Sequence, residues 1–173
     1  MSKAPIIVVD LQTGMFNGIE PLHDADGLTE RVRQVLAWAR QEGRGIAFVQ
    51  QNGPAGDQLE PGAPGWPIWP ALEQADDEPT FGKTVTNAFS NPSLLNWVKG
   101  QSADDVVVIG AATNHCIAAT VKGAQALGLG VTVIGDAHST GGPTAPDIIA
   151  EHNDRFAQSG ATVMTTRNLP LPR

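Results

Sequence analysis

Three side chains of this sequence have types and settings that suit covalent chemistry: Asp10, Lys83 and Cys116. Cys116 is the only cysteine; it follows a buried-looking apolar run, Val106 to Ile109, and a turn, GAATNH, and it precedes a helical stretch, IAATVKGAQALG. A thiol carried from a strand end onto a helix N-terminus meets unpaired backbone N–H groups. These favour an anion and predict a thiol pKa below the free value of about 8.5. Position alone does not separate a nucleophile from an inert core thiol, because free cysteines are among the most buried residue types. Asp10 directly follows the apolar run IIVV, and Lys83 ends the short segment TFGK. Taken singly, the acid could cap a turn and the lysine could be solvated. On one rim they would supply a base, a cation and a nucleophile, the parts needed for covalent attack on a carbonyl.

The elements that would bring them together can be read from hydrophobic periodicity. Ile6 to Val9 is a run of four branched apolar residues, as expected for a strand buried on both faces. Val32, Val35, Leu36 and Ala39 fall at helical spacing after Leu28, with Gly43 where a C-terminal cap belongs. Ile46 to Val49 reads as a second strand, and Thr80 to Lys83 as a third whose Pro79 and Gly82 suit an edge. Asn91-Pro92 opens a helix carrying Leu94, Leu95 and Val98 that stops at Gly100. Val106 to Ile109, Val131 to Ile134 and Ala161 to Met164 complete six strands, the last two separated by a helix that opens near Pro146. The alternation predicts a single domain over residues 1–173. Its α/β fold is an open, doubly wound, mainly parallel six-stranded sheet with helices on both faces, Rossmann-like in outline. Ligands of such sheets bind outside the C-terminal strand ends, where Asp10, Lys83 and Cys116 stand.

Composition narrows the partners. The net charge is −7 with no run of Lys or Arg, so the chain lacks the basic surface that nucleic acid or an anionic membrane would require. No apolar run approaches the roughly 18 residues of a spanning helix, and the opening MSKAPIIVVDLQ has no cleavage-site pattern. A lone cysteine fits a reducing compartment, so a cytoplasmic location is expected. DLQTGMFNG after the first strand is not GxGxxG, which argues against a dinucleotide cofactor; Leu11 and Gln12 offer no further acid for a magnesium-dependent phosphoryl transfer.

Four blocks together resemble the isochorismatase-like cysteine hydrolases, a family that includes nicotinamidases, N-carbamoylsarcosine amidases and isochorismatases. They are VVDLQTGMF, GKTVTNAF, GAATNHCIAATVKGA and GDAHST. The resemblance implies an Asp10-Lys83-Cys116 triad and a thioester mechanism on an amide-type C–N bond of a small molecule. It also implies a cis peptide joining Ala111 to Ala112, an oxyanion hole formed at that turn, and a homo-oligomer, a dimer or larger. No cofactor is expected. Nicotinamidases of the family hold a metal through an Asp-x-His pair and a further His after the second strand. Here Gln50, Gln51 and Asn52 stand in that place, so no metal site is expected.

Candidate substrate contacts are Phe16, Trp66, Trp69 and His115. The tryptophans belong to a long Gly- and Pro-rich loop, 53–70, that either rims the pocket or anchors itself to the body. His115, next to the cysteine on a turn, points away from it and suits a wall or the surface. His138 is read as lying just beyond a strand end, at the rim. Two alternatives share the fold: a vinyl-ether hydrolase of the isochorismatase type, and a non-catalytic thiol sensor of oxidants.

Overall fold

A computed structural model describes residues 3–170. All six expected strands are present: β1 (Ile6–Val9), β2 (Ile46–Gln51), β3 (Thr80–Lys83), β4 (Asp105–Ala111), β5 (Gly130–Ser139) and β6 (Thr162–Met164). They form one sheet in the order β3-β2-β1-β4-β5-β6, and every pairing is parallel. Among the described residues five α-helices connect or cover them: α1 (Thr13–Asn17), α2 (Ala25–Gln41), α3 (Pro92–Gly100), α4 (Ala118–Ala126) and α5 (Ala145–Gln158).

Side-chain alternation along β1 explains why both faces need helices. Ile6 and Val8 join Leu28, Val32, Val35 and Leu36 of α2 in one core; Ile7 and Val9 join Leu94 and Val98 of α3 and Val121 of α4 in the other. All four β1 residues are fully buried, each worth about 1.5–3 kcal/mol relative to exposure. α2 ends where Gly43 takes a left-handed φ of 65°, as its sequence position predicts. α3 is capped by the Asn91 side chain, which accepts a hydrogen bond from the Ser93 N–H at 3.0 Å.

From β1 the chain winds outward to β2 and β3, then returns to place β4 on the other side of β1 and winds outward again to β5 and β6. The reversal opens a crevice at the C-terminal ends of β1 and β4, where nothing crosses over. Asp10 leaves β1 there, and the cysteine turn leaves β4. A sheet read as mainly parallel is thus wholly parallel, and its switch point falls between the two residues chosen for acid and nucleophile.

Four strands differ from their expected bounds: β4 runs from Asp105 to Ala111, β6 starts at Thr162, and the other two differences bear on the site. β2 continues to Gln51, which carries Gln50 and Gln51 into the sheet beside β3. β5 continues through Ser139, so His138 is a strand residue rather than a rim residue. Val108 pairs with Val133 but Gly110 pairs with His138, so β5 bulges between these points and resumes pairing beyond the expected end. Gly135, Asp136 and the polar His138 hid that continuation from a reading based on apolar runs. Among the described residues no helix is long and apolar enough to cross a membrane.

Candidate active site

Asp10 is the first residue beyond β1 and adopts a left-handed φ of 51°, a conformation rare outside glycine that recurs at functional sites. Its N–H remains tied to Val49 O at 3.0 Å, so the turn is held against β2 while the side chain is aimed into the crevice. Lys83 closes the edge strand β3, and its fully buried side chain reaches across the end of β2. The ammonium donates to Asp10 Oδ2 at 2.8 Å, to Cys116 Sγ at 3.3 Å and to Gln51 Oε1. An ammonium has three N–H bonds, and here each has an acceptor. The structure thus brings together all three residues selected from the sequence, separated by 73 and 33 positions along the chain.

The cysteine turn depends on Gly110. Its φ is 129°, and a Cβ there would lie 2.1 Å from Val9 O, so only glycine lets β4 pass β1 at this point. The Ala111–Ala112 peptide is cis. Residues Thr113–Ile117 then form a single π-helical turn before α4, in which Ala112 O accepts from the N–H groups of His115 and Ile117, both at 3.1 Å. Cys116 therefore sits inside a π turn and not at the start of an α-helix. Such turns are frequent at functional sites.

Electrostatics correct the expected low thiol pKa. Burial pushes the Cys116 thiol up to about 12, the adjacent Asp10 carboxylate adds to the rise, and Lys83 opposes it only in part. The resting form is a thiol. Burial also raises the Asp10 carboxyl above its ordinary range, with the Lys83 charge pulling the other way. The thiolate expectation failed because it weighed the turn's N–H groups and the lysine without the loss of solvent or the nearby anion, both consequences of packing.

Gln12 is a member of the site that sequence reasoning quoted without a role. Fully buried, it donates from Nε2 to Gln51 O (3.0 Å) and Trp66 O (2.9 Å) and accepts from Gln51 N–H (3.0 Å). One side chain thereby ties the exit of β1 to the end of β2 and to the long loop. Gln51, which in the sequence stands only where a metal ligand is missing, supplies the third acceptor of Lys83. Its position two residues past the apolar run was the available signal.

The candidate contact residues separate into three settings. Trp66 donates its indole N–H to Asn52 Oδ1 at 2.9 Å, and Asn52 N–H in turn bonds Lys83 O, which places this indole on the β2–β3 side of the crevice. Trp69 stacks flat on Phe16, with centroids 4.6 Å apart, and donates to Thr29 Oγ1 of α2 at 3.2 Å. His115 is exposed. Where a family metal would bind, the amide oxygens of Gln51 and Asn52 are committed to Lys83 and Trp66, and these residues do not fit a metal site. A hollow of about 510 Å³ beside Ile46, Arg44 and Trp97 lies at the opposite end of the sheet and contains no nucleophile.

Known proteins share this architecture. The family profile described as Isochorismatase domain matches residues 4–168. A streptothricin hydrolase from Streptomyces noursei is 33% identical over 144 residues, covering 83% of this chain but 52% of that protein, so the chain spans about half the length of this relative. The nicotinamidase/pyrazinamidase of Mycobacterium tuberculosis is 34% identical over 98 residues, 51% of this chain and 52% of that one. The crystal structure of an isochorismatase from Pseudomonas putida superposes with a TM-score of 0.89 at 26% identity, covering 98% of this chain and 91% of the other. A wholly parallel sheet, a crevice at the β1–β4 switch and a profile match across nearly all described residues lead to one assignment: this chain belongs to the isochorismatase family of hydrolases.

Proposed function

We propose that the protein is a cysteine hydrolase that cleaves an amide-type C–N bond of a small molecule through a Cys116 thioester. The observation that carries this reading is the Lys83 ammonium shared between Asp10 Oδ2 and Cys116 Sγ. A carboxylate, an ammonium and a thiol sum to zero charge. Moving the thiol proton to Asp10 gives a carboxylic acid, an ammonium and a thiolate, which also sum to zero. A buried site that resists net charge accommodates that internal transfer far more readily than loss of a proton to solvent.

The steps follow from that transfer. Asp10 takes the proton as Sγ attacks the carbonyl carbon, and the amides of Ala112 and Cys116 are the donors assigned to the tetrahedral oxyanion. The C–N bond breaks as Asp10 passes the proton to the leaving nitrogen. Asp10, again an anion, removes a proton from water; the hydroxyl adds to the thioester, the C–S bond breaks and Sγ recovers its proton from Asp10. Lys83 keeps its charge throughout and balances whichever partner is anionic. The names of two relatives, a nicotinamidase/pyrazinamidase and a hydrolase, agree with this reaction class. A cytoplasmic homo-oligomer without a metal or other cofactor completes the proposal.

The test is a screen of small primary amides, ureido acids and cyclic amides, scored by release of ammonia or amine, with the wild type beside Cys116→Ala. Turnover by the wild type that vanishes in the variant is the expected result. Equal turnover by both would remove Cys116 from the reaction.

A further inference from the structure

We infer that His138 is a positioning residue for the cysteine turn, accepting a hydrogen bond from the Thr113 hydroxyl and donating its own ring N–H to Asn153, so that β5 and α5 together hold the segment leading to Cys116. This rests on the reading of Cys116 as the nucleophile. Neither the triad nor the reaction proposed above uses any of these three side chains.

The direction of every hydrogen bond in this chain can be deduced. Asn153 Nδ2 lies 2.9 Å from Gly135 O, and a carbonyl only accepts, so the amide nitrogen must face Gly135. Asn153 Oδ1 then faces His138 Nε2 at 2.8 Å, and since that oxygen also only accepts, the ring proton sits on Nε2. A neutral ring protonated there leaves Nδ1 as an acceptor, and its partner at 2.8 Å is Thr113 Oγ1, which must donate. Burial holds the His138 imidazole neutral, with its pKa down at about 4, so the alternative in which both ring nitrogens donate does not arise near neutrality. Thr113 is fully buried and His138 nearly so, which shields the Thr113–His138 bond from solvent, whereas Asn153 is half-buried. Phe156 packs edge-on against the imidazole, with centroids 5.9 Å apart, and restricts its rotation.

The geometry ties this chain to the nucleophile. Thr113 follows Ala112 directly and begins the π turn that contains Cys116. The next residue is tied to the segment just beyond the same strand, because Thr140 Oγ1 donates to Asn114 Oδ1 at 3.0 Å. Two consecutive turn residues are thus fastened by side chains, Thr113 to β5 and Asn114 to the residue directly after it, while the 3.3 Å approach of Sγ to Lys83 comes from the other side of the crevice. The bulged continuation of β5 is what brings His138 level with Gly110 and makes the first of these ties possible.

Comparison of Thr113→Val with Thr113→Ser in the full chain tests the inference, because valine keeps the volume and loses the hydroxyl whereas serine keeps the hydroxyl. Amide hydrogen exchange of His115 and Ile117 is expected to accelerate about tenfold in the valine variant and to stay within about twofold of wild type in the serine variant. On the amide that the wild type hydrolyses fastest, valine should lower kcat about tenfold or more with KM little changed, and serine should restore it. Nitrogen-15 histidine NMR of the wild type should show the His138 proton on Nε2. A proton on Nδ1, equal behaviour of the valine and serine variants, or faster exchange throughout the molecule instead of in the turn would each overturn the proposal. A Cys116→Ala enzyme that still turns over would defeat the nucleophile reading; a loosened turn with unchanged kcat would defeat the positioning role alone.

Discussion

Lys83 Nζ donates to one oxygen of Asp10 at 2.8 Å, while Oδ1, the other oxygen of the same buried carboxylate, has no hydrogen-bond partner among the described residues. A carboxylate with one oxygen fixed and one unsatisfied is oriented and still able to receive a proton.

Asp10→Asn should separate thiol reactivity from hydrolysis. Removing the anion beside Cys116 lowers the thiol pKa from about 12, so the rate of iodoacetamide alkylation should begin to rise at lower pH than in wild type. Hydrolysis should fall by about 10² to 10⁴ because no general base remains. Lys83→Met should shift the alkylation profile upward. A wild-type profile that rises well below about 8.5, the free-thiol value, would contradict the raised pKa described here.

The two tryptophans should respond differently. Trp69→Ala loses a stacked partner and a hydrogen bond to α2, and a loss of about 3 kcal/mol in chemical denaturation is expected. Trp66→Ala should instead change the relative rates for different amides by more than it changes stability. Similar stability losses with unaltered substrate preference would make both of them anchors of the long loop.

Chelation should leave turnover intact, since the amide oxygens of Gln51 and Asn52 are already engaged by Lys83 and Trp66. Activity abolished by exhaustive chelation and restored by zinc or iron would refute this.

Stability should decline on acidification in a window set by His138. Its folded pKa of about 4 lies below the ordinary value of 6.5. Between these values the unfolded chain binds a proton that the folded chain does not, so stability rises with pH across the window and is lost as pH falls through it. The full contribution is about 3 kcal/mol. Denaturant titrations of wild type and His138→Gln from pH 7 to pH 4 should show the slope in the wild type and its reduction in the variant; parallel curves would remove His138 as the cause.

Much of this molecule was legible from local pattern. The fully buried run Ile6–Val9 could only be an interior strand, the 3.6-residue spacing from Leu28 to Ala39 could only present one apolar face, and Asn91-Pro92 opened a helix by capping chemistry that needs no distant partner. Asp10, Lys83 and Cys116 were recognisable because Asp10 and Lys83 stand at strand ends, Cys116 stands in the turn that follows another, and the blocks around them resemble the family's. Two further features were decided only by tertiary structure. The long loop's tryptophans took up different settings because one met Asn52 and the other met Phe16 and Thr29, none of which neighbours them in sequence. His138 entered the sheet because a bulge reset the register of β5, a shift that residue types alone do not signal. Residue identity and spacing determined which groups would meet. Whether Cys116 rests as thiol or thiolate depended on how much water the surrounding packing removes and on the distance to an anion more than a hundred residues away, quantities that exist only once the chain has folded.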